Sequence, residues 1–396
     1  MANTLNLGNG NWATKEDSLL AYNSENGNFK PLPFDFTRAS SATVVNKAGL
    51  IETVGSGEPR IDFSNDAKGA LLLEPTRLQL LPYSEDFTNA AWVKTNVTLT
   101  SSNVISPDGT QNASKIEATA SDSSLQDSIT VTSGTTYTLS VYLKTVSGTL
   151  DTAIGLGSPG FPQNEGEGGR YKNITVTNEW KRYTLTSTAD ASAATGIGVG
   201  GFNSFSTGEE VYVWGAQLEQ GSYATSYIPN FGNSAGATRS ADVCNNGGNE
   251  QVINSTEGTL YVEANLIDGY DNNNFLATIF DNSNGGNNHV IIQRYLGNIQ
   301  SKIKVGTTQA EITESNTTSG NKKIAFTYKA NEFKMFVNGS QVGLTDTSGS
   351  VFSPNTLDKI NVGSYYNSTL SFNNGVKDLR VYNTALTDAE LQALTK

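Results

Sequence analysis

The run VYVWGAQLEQGSYATSYIPNFGNSAGATRSAD, residues 211–242, decides how the chain is divided. Val211 and Val213 alternate with two aromatic residues, a period-2 pattern typical of a strand with one buried face. A second short aromatic strand follows and ends at Pro229. Residues 230–237 are rich in Gly, Asn, Ser and Ala and contain no apolar run, a composition typical of a linker. We therefore expect the last strands of one domain here, followed by a tether to the next domain.

The composition favours an all-β protein with two or three domains. The chain has 396 residues, more than one typical domain, and its 39 glycines and Asn/Ser/Thr-rich polar residues suit turns and strands. The net charge of −12 argues against a nucleic-acid partner, because phosphate binding requires clustered Lys and Arg. We find no apolar segment typical of a signal peptide and no run long enough for membrane insertion.

Alternating apolar segments and turn residues divide the chain into four predicted parts. The first contains strand candidates at 18–22, 42–45 and 50–54, with a turn at Lys47-Ala48-Gly49 between the last two. It is too small to bury a full core alone, so we expect it to pack on the next domain, on a partner chain or on a larger particle. The role that follows from this expectation is attachment to such a particle or oligomerisation. The predicted parts are an N-terminal strand-rich attachment region (1–77), a sandwich (78–230), a linker (231–257) and a second sandwich (258–396).

The strongest local signal lies in the last part, in the run KKIAFTYKANEFKMFVNGSQVG, residues 322–343. It predicts two hairpins, one turning at Ala330-Asn331 and the other at Asn338-Gly339, a pair suited to a type I′ turn. Thr387 and Glu390 have the spacing of a capping box, which predicts a short helix at the C-terminal end.

Several blocks of the sequence resemble segments of known protein families. The runs FTRASSATVVNKAGLIETVGSGEPRIDF (36–63) and GALLLEPTRLQLLPYSEDFTNAAW (69–92), together with WGAQLEQGSYATSYIP and ATRSAD, resemble tailed-phage fibre, head-spike and decoration proteins. In those proteins they accompany a carbohydrate-binding-module-like jelly roll. The run INVGSYYNSTLSFNNGVKDLRVYNTALTDAELQAL (360–394) resembles the last strands of a laminin-G or concanavalin A-like lectin domain.

The resemblance implies a virion surface protein made in the host cytoplasm. We expect it to display glycan-binding sandwiches for adhesion to host-surface or mucus glycans, with other virion proteins as further partners. Multivalent display strengthens weak single sites, so a homo-oligomer, most plausibly a trimer, or many copies on the particle are expected. Two alternatives stay open: a bracing protein of capsid or tail that binds no sugar, and a polysaccharide depolymerase.

Catalytic signatures are weak, which predicts a protein that is not an enzyme. Concanavalin-like glycosidases commonly show Glu-x-Asp-x-x-Glu, and the residues after Glu263 do not fit it. Glu165 and Glu167 lie in a glycine-rich loop whose simplest interpretation is a solvated loop. A single histidine, His289, supports no Ser/His/Asp arrangement, and a single cysteine, Cys244, excludes an intrachain disulfide.

Candidate ligand-binding residues are aromatic or amide side chains in loops, since sugar binding uses ring stacking and amide hydrogen bonds. The tryptophans Trp92, Trp180 and Trp214 are expected in the core instead. The candidates for sugar binding are Tyr171, Phe202, Phe205, Tyr270, Asn273, Asn287, Tyr365 and Tyr366.

A structural calcium ion is the one cofactor considered, because both resembled families often hold Ca²⁺ through carboxylates and carbonyls. Asp and Asn in turns are more often simple turn formers. The candidate calcium ligands are Asp86 and Asp108, with neighbouring Glu85, in the first sandwich, and Asp268, Asp271 and Asp281 in the second.

Overall fold

A computed structural model describes residues 2–201, 205–267, 274–368, 372 and 374–396, with the backbone alone at 29–32. These residues form an almost entirely β protein. The first nine strands are β1 Leu5–Gly8, β2 Ala13–Lys15, β3 Ser18–Asn23, β4 Asn28–Thr37, β5 Ala42–Val45, β6 Ile51–Val54, β7 Ile61–Asp62, β8 Ala70–Leu73 and β9 Arg77–Gln79. The next ten are β10 Trp92–Thr95, β11 Val97–Ser101, β12 Ser114–Ala118, β13 Ser124–Val131, β14 Thr136–Thr145, β15 Leu150–Gly155, β16 Tyr171–Val176, β17 Lys181–Thr188, β18 Ala193–Gly200 and β19 Glu210–Gln220.

The remaining elements belong mainly to the C-terminal sandwich. The strands are β20 Ala237–Arg239, β21 Val243–Gly247, β22 Glu257–Leu266, β23 Asn274–Phe280, β24 Asn288–Tyr295, β25 Asn298–Val305, β26 Thr307–Glu314, β27 Gly320–Lys329, β28 Glu332–Val337, β29 Ser340–Asp346, β30 Lys359–Val362 and β31 Asn374–Tyr382. The helix α1 is Asp388–Thr395, and no helix among the described residues is long and apolar enough to cross a membrane.

Strands β10 to β19 form a jelly roll of two five-stranded sheets. One sheet has the order β10-β13-β18-β15-β16 and the other β11-β12-β19-β14-β17. Along β14, Leu139, Val141 and Leu143 point inward and are fully buried, as the alternation predicts. Trp92 is buried in the same core. Trp214 is also buried, but beneath the β5–β6 hairpin, against Ile51.

The second unit, which we call the large sandwich, consists of two layers around one core. One layer has the order β3-β4-β21-β30-β23-β24-β25-β26, and the other has the order β1-β31-β22-β27-β28-β29. Strand β1 pairs with both β31 and β3 and so links the layers. Strand β8 pairs with β31 beside β1 and with β7.

The predicted N-terminal attachment region is therefore not a separate unit. Leu5, Leu7, Leu19, Phe34 and Phe36 are all 0–1% exposed in the core of the large sandwich. Residues 1–77 have too few apolar side chains for an independent core, as expected, and they pack into the core of a larger unit. The missing half of that core comes from strands more than 200 residues further along the chain.

The predicted linker, residues 231–257, also differs from the structure. Strand β20 pairs with β9, while β21 lies between β4 and β30. Cys244 on β21 is fully buried. The misassignment arose because β21 has few apolar residues, although neighbours on both sides satisfy its backbone hydrogen bonds. The jelly roll is consequently an insertion between β8 and β21 of the large sandwich.

The local predictions at hairpins and the helix are confirmed. Asn338 and Gly339 have φ of 47° and 84°, the positive values that a type I′ turn requires. The β5–β6 hairpin turns at Gly49 with φ 81°. At the start of α1, the Thr387 side chain accepts from the Glu390 backbone and the Glu390 side chain accepts from the Thr387 backbone, which completes the capping box.

A cluster of buried charges lies where the chain passes between the two sandwiches. We call it the junction cluster: Arg38, Arg60, Glu74, Arg239 and Asp242. Asp242 pairs with Arg38 at 3.0 Å and with Arg60, while Glu74 pairs with Arg60 at 2.8 Å and with Arg239 at 2.7 Å. These side chains are between 0% and 6% exposed.

Each carboxylate of the junction cluster is also hydrogen-bonded. Ser226 donates to Glu74 from its backbone N at 2.7 Å and from its Oγ at 2.6 Å. The Glu74 backbone N donates to Asp242 Oδ2 at 3.0 Å. Burial alone would raise the pKa of the Glu74 carboxyl, but Arg239 and Arg60 outweigh it and lower that pKa to about 2. The cluster thus ties the outgoing chain to the returning chain.

Candidate functional site

Two adjacent tyrosines stand at one rim of the large sandwich. Tyr365 stacks on Phe275 with ring centroids 4.5 Å apart and planes at 24°. Tyr366 meets the edge of Tyr365 at 4.6 Å, with planes at 70°. Both tyrosines are half-buried, so each offers part of its ring to solvent. We call Tyr365, Tyr366 and the adjoining turn 285–287 the tyrosine rim.

The turn packs closely against Tyr366 because it contains two glycines. A Cβ on Gly285 would lie 2.7 Å from Cγ of Tyr366, and one on Gly286 would lie 3.1 Å from its hydroxyl oxygen. Asn287 follows directly and is exposed, with Nδ2 donating to Asn284 Oδ1 at 3.1 Å. The structure therefore brings three of the predicted sugar-binding residues, Asn287, Tyr365 and Tyr366, to one rim.

Two buried asparagines that the sequence analysis missed hold the tyrosine loop. Asn361 on β30 donates from Nδ2 to the Tyr365 carbonyl at 2.8 Å. Asn245 on β21 accepts from Ser364 Oγ at 2.8 Å and donates to Ser368 Oγ. The signal available for Asn361 was an amide between the apolar residues Ile360 and Val362, since a buried amide requires hydrogen-bonding partners.

His289 supports the same turn from beneath. Its ring is buried, and Nδ1 lies 2.7 Å from the Gly285 carbonyl oxygen, so Nδ1 carries the proton that this acceptor requires. Burial lowers the pKa of the ring, and Lys304 and Lys302 lower it further, so the imidazole is neutral at pH 7. The ring meets the edge of Tyr365 at 5.4 Å, which makes His289 a structural support within β24.

The predicted aromatic residues of the jelly roll do not join the tyrosine rim. Tyr171 is half-buried at the start of β16 and forms an isolated bridge with Glu165. Phe205 is 2% exposed and packs in the jelly-roll core, so its ring is not offered to a ligand and the prediction for this residue is wrong. Phe202 lies outside the described residues, as do Tyr270 and Asn273 of the large sandwich.

The two loop carboxylates considered for catalysis already have partners. Glu167 pairs with Lys172 at 2.6 Å and accepts from the Thr186 backbone N at 2.9 Å. Glu165 accepts from Asn173 at 2.8 Å. Both carboxylates are exposed, in agreement with a solvated loop.

The candidate calcium ligands of the jelly roll form hydrogen-bonded turns. Asp86 caps its turn by accepting from the Thr88 backbone N at 3.1 Å. Glu85 and Asp108 are joined by Asn112, whose Nδ2 lies 2.8 Å from one carboxylate and 3.3 Å from the other. Burial raises the pKa of Glu85, and the neighbouring Asp108 adds to the rise.

In the large sandwich, Asp281 likewise stabilises a turn, while Asp268 and Asp271 lie outside the described residues. Asp281 accepts from the Ser283 backbone N at 2.8 Å and from Asn288 at 3.0 Å. Within the described part of the chain, no three His, Cys, Asp or Glu side chains are grouped to hold a metal ion. The carboxylates of Asp86, Asp108 and Asp281 already accept hydrogen bonds, and calcium binding stays a prediction.

Comparison with known families identifies part of the chain. Residues 246–392 match the family model Laminin_G_3 of the concanavalin A-like lectin/glucanases superfamily. These residues form a concanavalin A-like domain. The match begins within β21, so it does not include β1 to β4, which complete the two layers of this domain. No curated protein matches the sequence.

Solved structures similar to the chain include carbohydrate-binding modules. The CBM40 of a Ruminococcus gnavus sialidase, bound to α2,3-sialyllactose, has a TM-score of 0.33 at 15% identity, covering 38% of this chain and 94% of that chain. A CBM4 structure has a TM-score of 0.25 at 18% identity, covering 33% and 95%. A domain of a Geobacillus stearothermophilus arabinanase, in complex with arabinotriose, has a TM-score of 0.24 at 15% identity, covering 39% and 73%.

Proposed function

We propose that the protein is a non-enzymatic glycan-binding adhesin displayed on the surface of a tailed-phage virion, as a fibre, head spike or capsid decoration. The observation that carries glycan binding is the tyrosine rim: two half-buried, adjacent rings that meet edge-on, on a concanavalin A-like domain. Aromatic faces pack against the C–H surface of a sugar, while the exposed Asn287 amide can bond its hydroxyl groups.

The proposed virion context rests on the sequence blocks that resemble phage proteins. All five charged residues of the junction cluster belong to those blocks, in TRAS, EPRIDF, LLLEP and ATRSAD. In this chain the five residues, although dispersed in the sequence, pair with one another at the passage between the sandwiches. A virion protein would present many copies of a weak sugar site, which raises avidity.

The first experiment is a glycan-array and host-cell binding assay with the full chain, because an isolated 258–396 fragment lacks strands of its own sandwich. We expect specific binding that Tyr366→Ala weakens at least about tenfold, or about 1.4 kcal/mol. Tyr295→Ala is the matched control, since Tyr295 is an exposed tyrosine at the opposite end of β24. Equal losses in both variants would contradict a site at the tyrosine rim.

The same assay separates the alternatives. No binding by the folded full chain would favour the bracing role, whereas shortened oligosaccharides after incubation would favour depolymerase activity.

Adding EDTA tests for calcium binding. Glycan binding or thermal stability that falls with EDTA and returns with CaCl₂ would support a calcium site at Glu85 and Asp108.

A further inference from the structure

A cleft of about 350 Å³ lies where the jelly roll, the large sandwich and the segment between β5 and β8 meet. We call it the junction cleft. Its walls include Tyr142 and Arg182 from the jelly roll, Asn265 and Asn374 from the large sandwich, and Asp62 and Asn65 from the connecting segment. Small-molecule sites are typically about 300–1,000 Å³ and favour domain interfaces, so the cleft has room for one or two sugar rings.

Most charges lining the junction cleft are already used inside the protein. Asp66 pairs with Lys377 at 3.1 Å. Asp62 accepts from the backbone N of Val45 at 3.1 Å and of Ser64 at 3.0 Å. Glu74 belongs to the junction cluster. A carboxylate ligand would therefore meet existing carboxylates, and a cationic ligand would compete with ion pairs that are already formed.

Arg182 is similarly engaged. Its Nη1 donates to the Thr225 carbonyl at 2.6 Å and its Nη2 to Ser140 Oγ at 2.8 Å. The guanidinium carbon lies 5.5 Å from the centroid of the Tyr142 ring, which it covers. Both terminal nitrogens of the Arg182 guanidinium are thus bonded within the protein, and the group packs over the Tyr142 ring.

The described residues that line the cleft also include three neutral amides. Asn265 and Asn374 are half-buried and come from the large sandwich, and the exposed Asn65 comes from the connecting segment. The Asn374 Oδ1 accepts from the Gly375 backbone N at 2.8 Å. Leu72 and Tyr227 add buried apolar surface. An amide can both donate hydrogen bonds to and accept them from the hydroxyl groups of a sugar, and the apolar surface beside it can contact the C–H groups of the same sugar.

We propose that the junction cleft is a second carbohydrate site, specific for a neutral mono- or disaccharide. It is independent of the tyrosine rim and does not rest on the function proposed for it. Because the cleft walls come from both sandwiches, a bound sugar would contact both and stabilise the whole chain. The stabilisation grows with ligand concentration as RT ln(1 + [L]/Kd).

The test uses the full chain with maltose, cellobiose and lactose as neutral probes, and sialyllactose and glucuronic acid as acidic probes. Ligand-observed NMR and isothermal titration measure binding. We expect at least one neutral disaccharide to bind in the wild-type chain, and Asn265→Leu to weaken it at least about tenfold. Asn65→Trp, an exposed substitution at the cleft mouth, should weaken it as well without affecting the core.

Tyr366→Ala distinguishes the two sites, since it alters only the tyrosine rim. Neutral-sugar binding that survives Tyr366→Ala but falls in both cleft variants supports the proposal. Binding that falls only in Tyr366→Ala assigns the sugar to the rim and overturns the proposal. Binding of acidic probes alone, or no neutral binding at tens of millimolar by folded protein, also overturns it.

Discussion

At the scale of single residues, the junction cluster is the feature with the largest energetic consequence. Glu74 neutralises two buried arginines and accepts two hydrogen bonds from Ser226. A buried ion pair adds little over a well-packed apolar pair, but removing one partner leaves the other charge buried and unpaired. The cluster is therefore intolerant of single neutralising substitutions.

We predict that Glu74→Gln lowers the free energy of unfolding by roughly 3–5 kcal/mol, the usual result of breaking a buried pair. The matched control is Glu167→Gln, which breaks the exposed pair with Lys172 and should cost less than about 1 kcal/mol. Urea unfolding of the purified variants gives both values. Similar small losses in both variants would show that the junction cluster contributes no more than a surface pair.

The pH dependence of the stability follows from the direction in which folding changes the pKa of Glu74. The folded-state pKa of Glu74, about 2, lies below its ordinary value of 4.5. Its contribution to stability is therefore complete above pH 4.5 and is lost as the pH falls towards 2. The stability difference between wild type and Glu74→Gln should shrink over that window, and a difference that stays constant would contradict this assignment.

The contacts of the junction cluster could not be predicted from the sequence. Arg60 and Asp242 attracted notice only through a resemblance, because 182 residues separate them and no local pattern links their charges. Asn287, Tyr365 and Tyr366 were predicted from loop composition, and the fold brings them together. Phe205 was predicted as exposed from the same reasoning, yet it packs beside Gly200 in the core.

At the scale of elements, local signals were reliable and distant pairings were not. The turn at Asn338-Gly339 and the capping box at Thr387 are determined by a few neighbouring residues, and both predictions are confirmed. The sequence predicted part of strands β1 to β4. It did not predict the strands with which they pair, because β1 pairs with β31 at the other end of the chain. A period-2 pattern indicates a strand and a buried face without specifying what covers that face.

Strands β1 to β4 contribute a large part of the apolar core of the large sandwich. Leu5, Leu7, Leu19, Phe34 and Phe36 are each worth roughly 1.5–3 kcal/mol when fully buried, on the order of 10 kcal/mol together. That is comparable with the total stability of a domain, about 5–15 kcal/mol. A chain lacking residues 2–37 should therefore fail to fold its large sandwich, which near-ultraviolet circular dichroism and limited proteolysis would detect.

Single substitutions measure how much the N-terminal strands contribute to the stability of the large sandwich. Phe34→Ala should cost roughly 3–5 kcal/mol, because it leaves a cavity between the layers. Leu344→Ala is the control, since Leu344 is 90% exposed and should change stability by less than about 0.5 kcal/mol. A folded deletion chain together with a neutral Phe34→Ala would mean that the N-terminal strands do not complete the core.

At the scale of the whole molecule, the insertion couples the two sandwiches. The chain leaves the large sandwich after β8 and returns at β21, and the two passages lie close together because β9 pairs with β20. The junction cluster binds the two passages, and the β5–β6 hairpin covers Trp214 on the jelly roll. Unfolding either sandwich would expose buried arginines or leave the hairpin without its partner, so the two units should unfold together.

We therefore predict a single transition for the wild-type chain in differential scanning calorimetry, with calorimetric and van't Hoff enthalpies that agree. Arg60 contacts both carboxylates of the junction cluster and donates to the Thr43 carbonyl at 3.0 Å. Arg60→Met should remove this coupling and separate the scan into two transitions, one for each sandwich. The matched control is Lys172→Met, which breaks only an exposed pair of the jelly roll and should preserve a single transition. Two transitions in the wild type would show that the sandwiches are energetically independent despite the buried cluster between them.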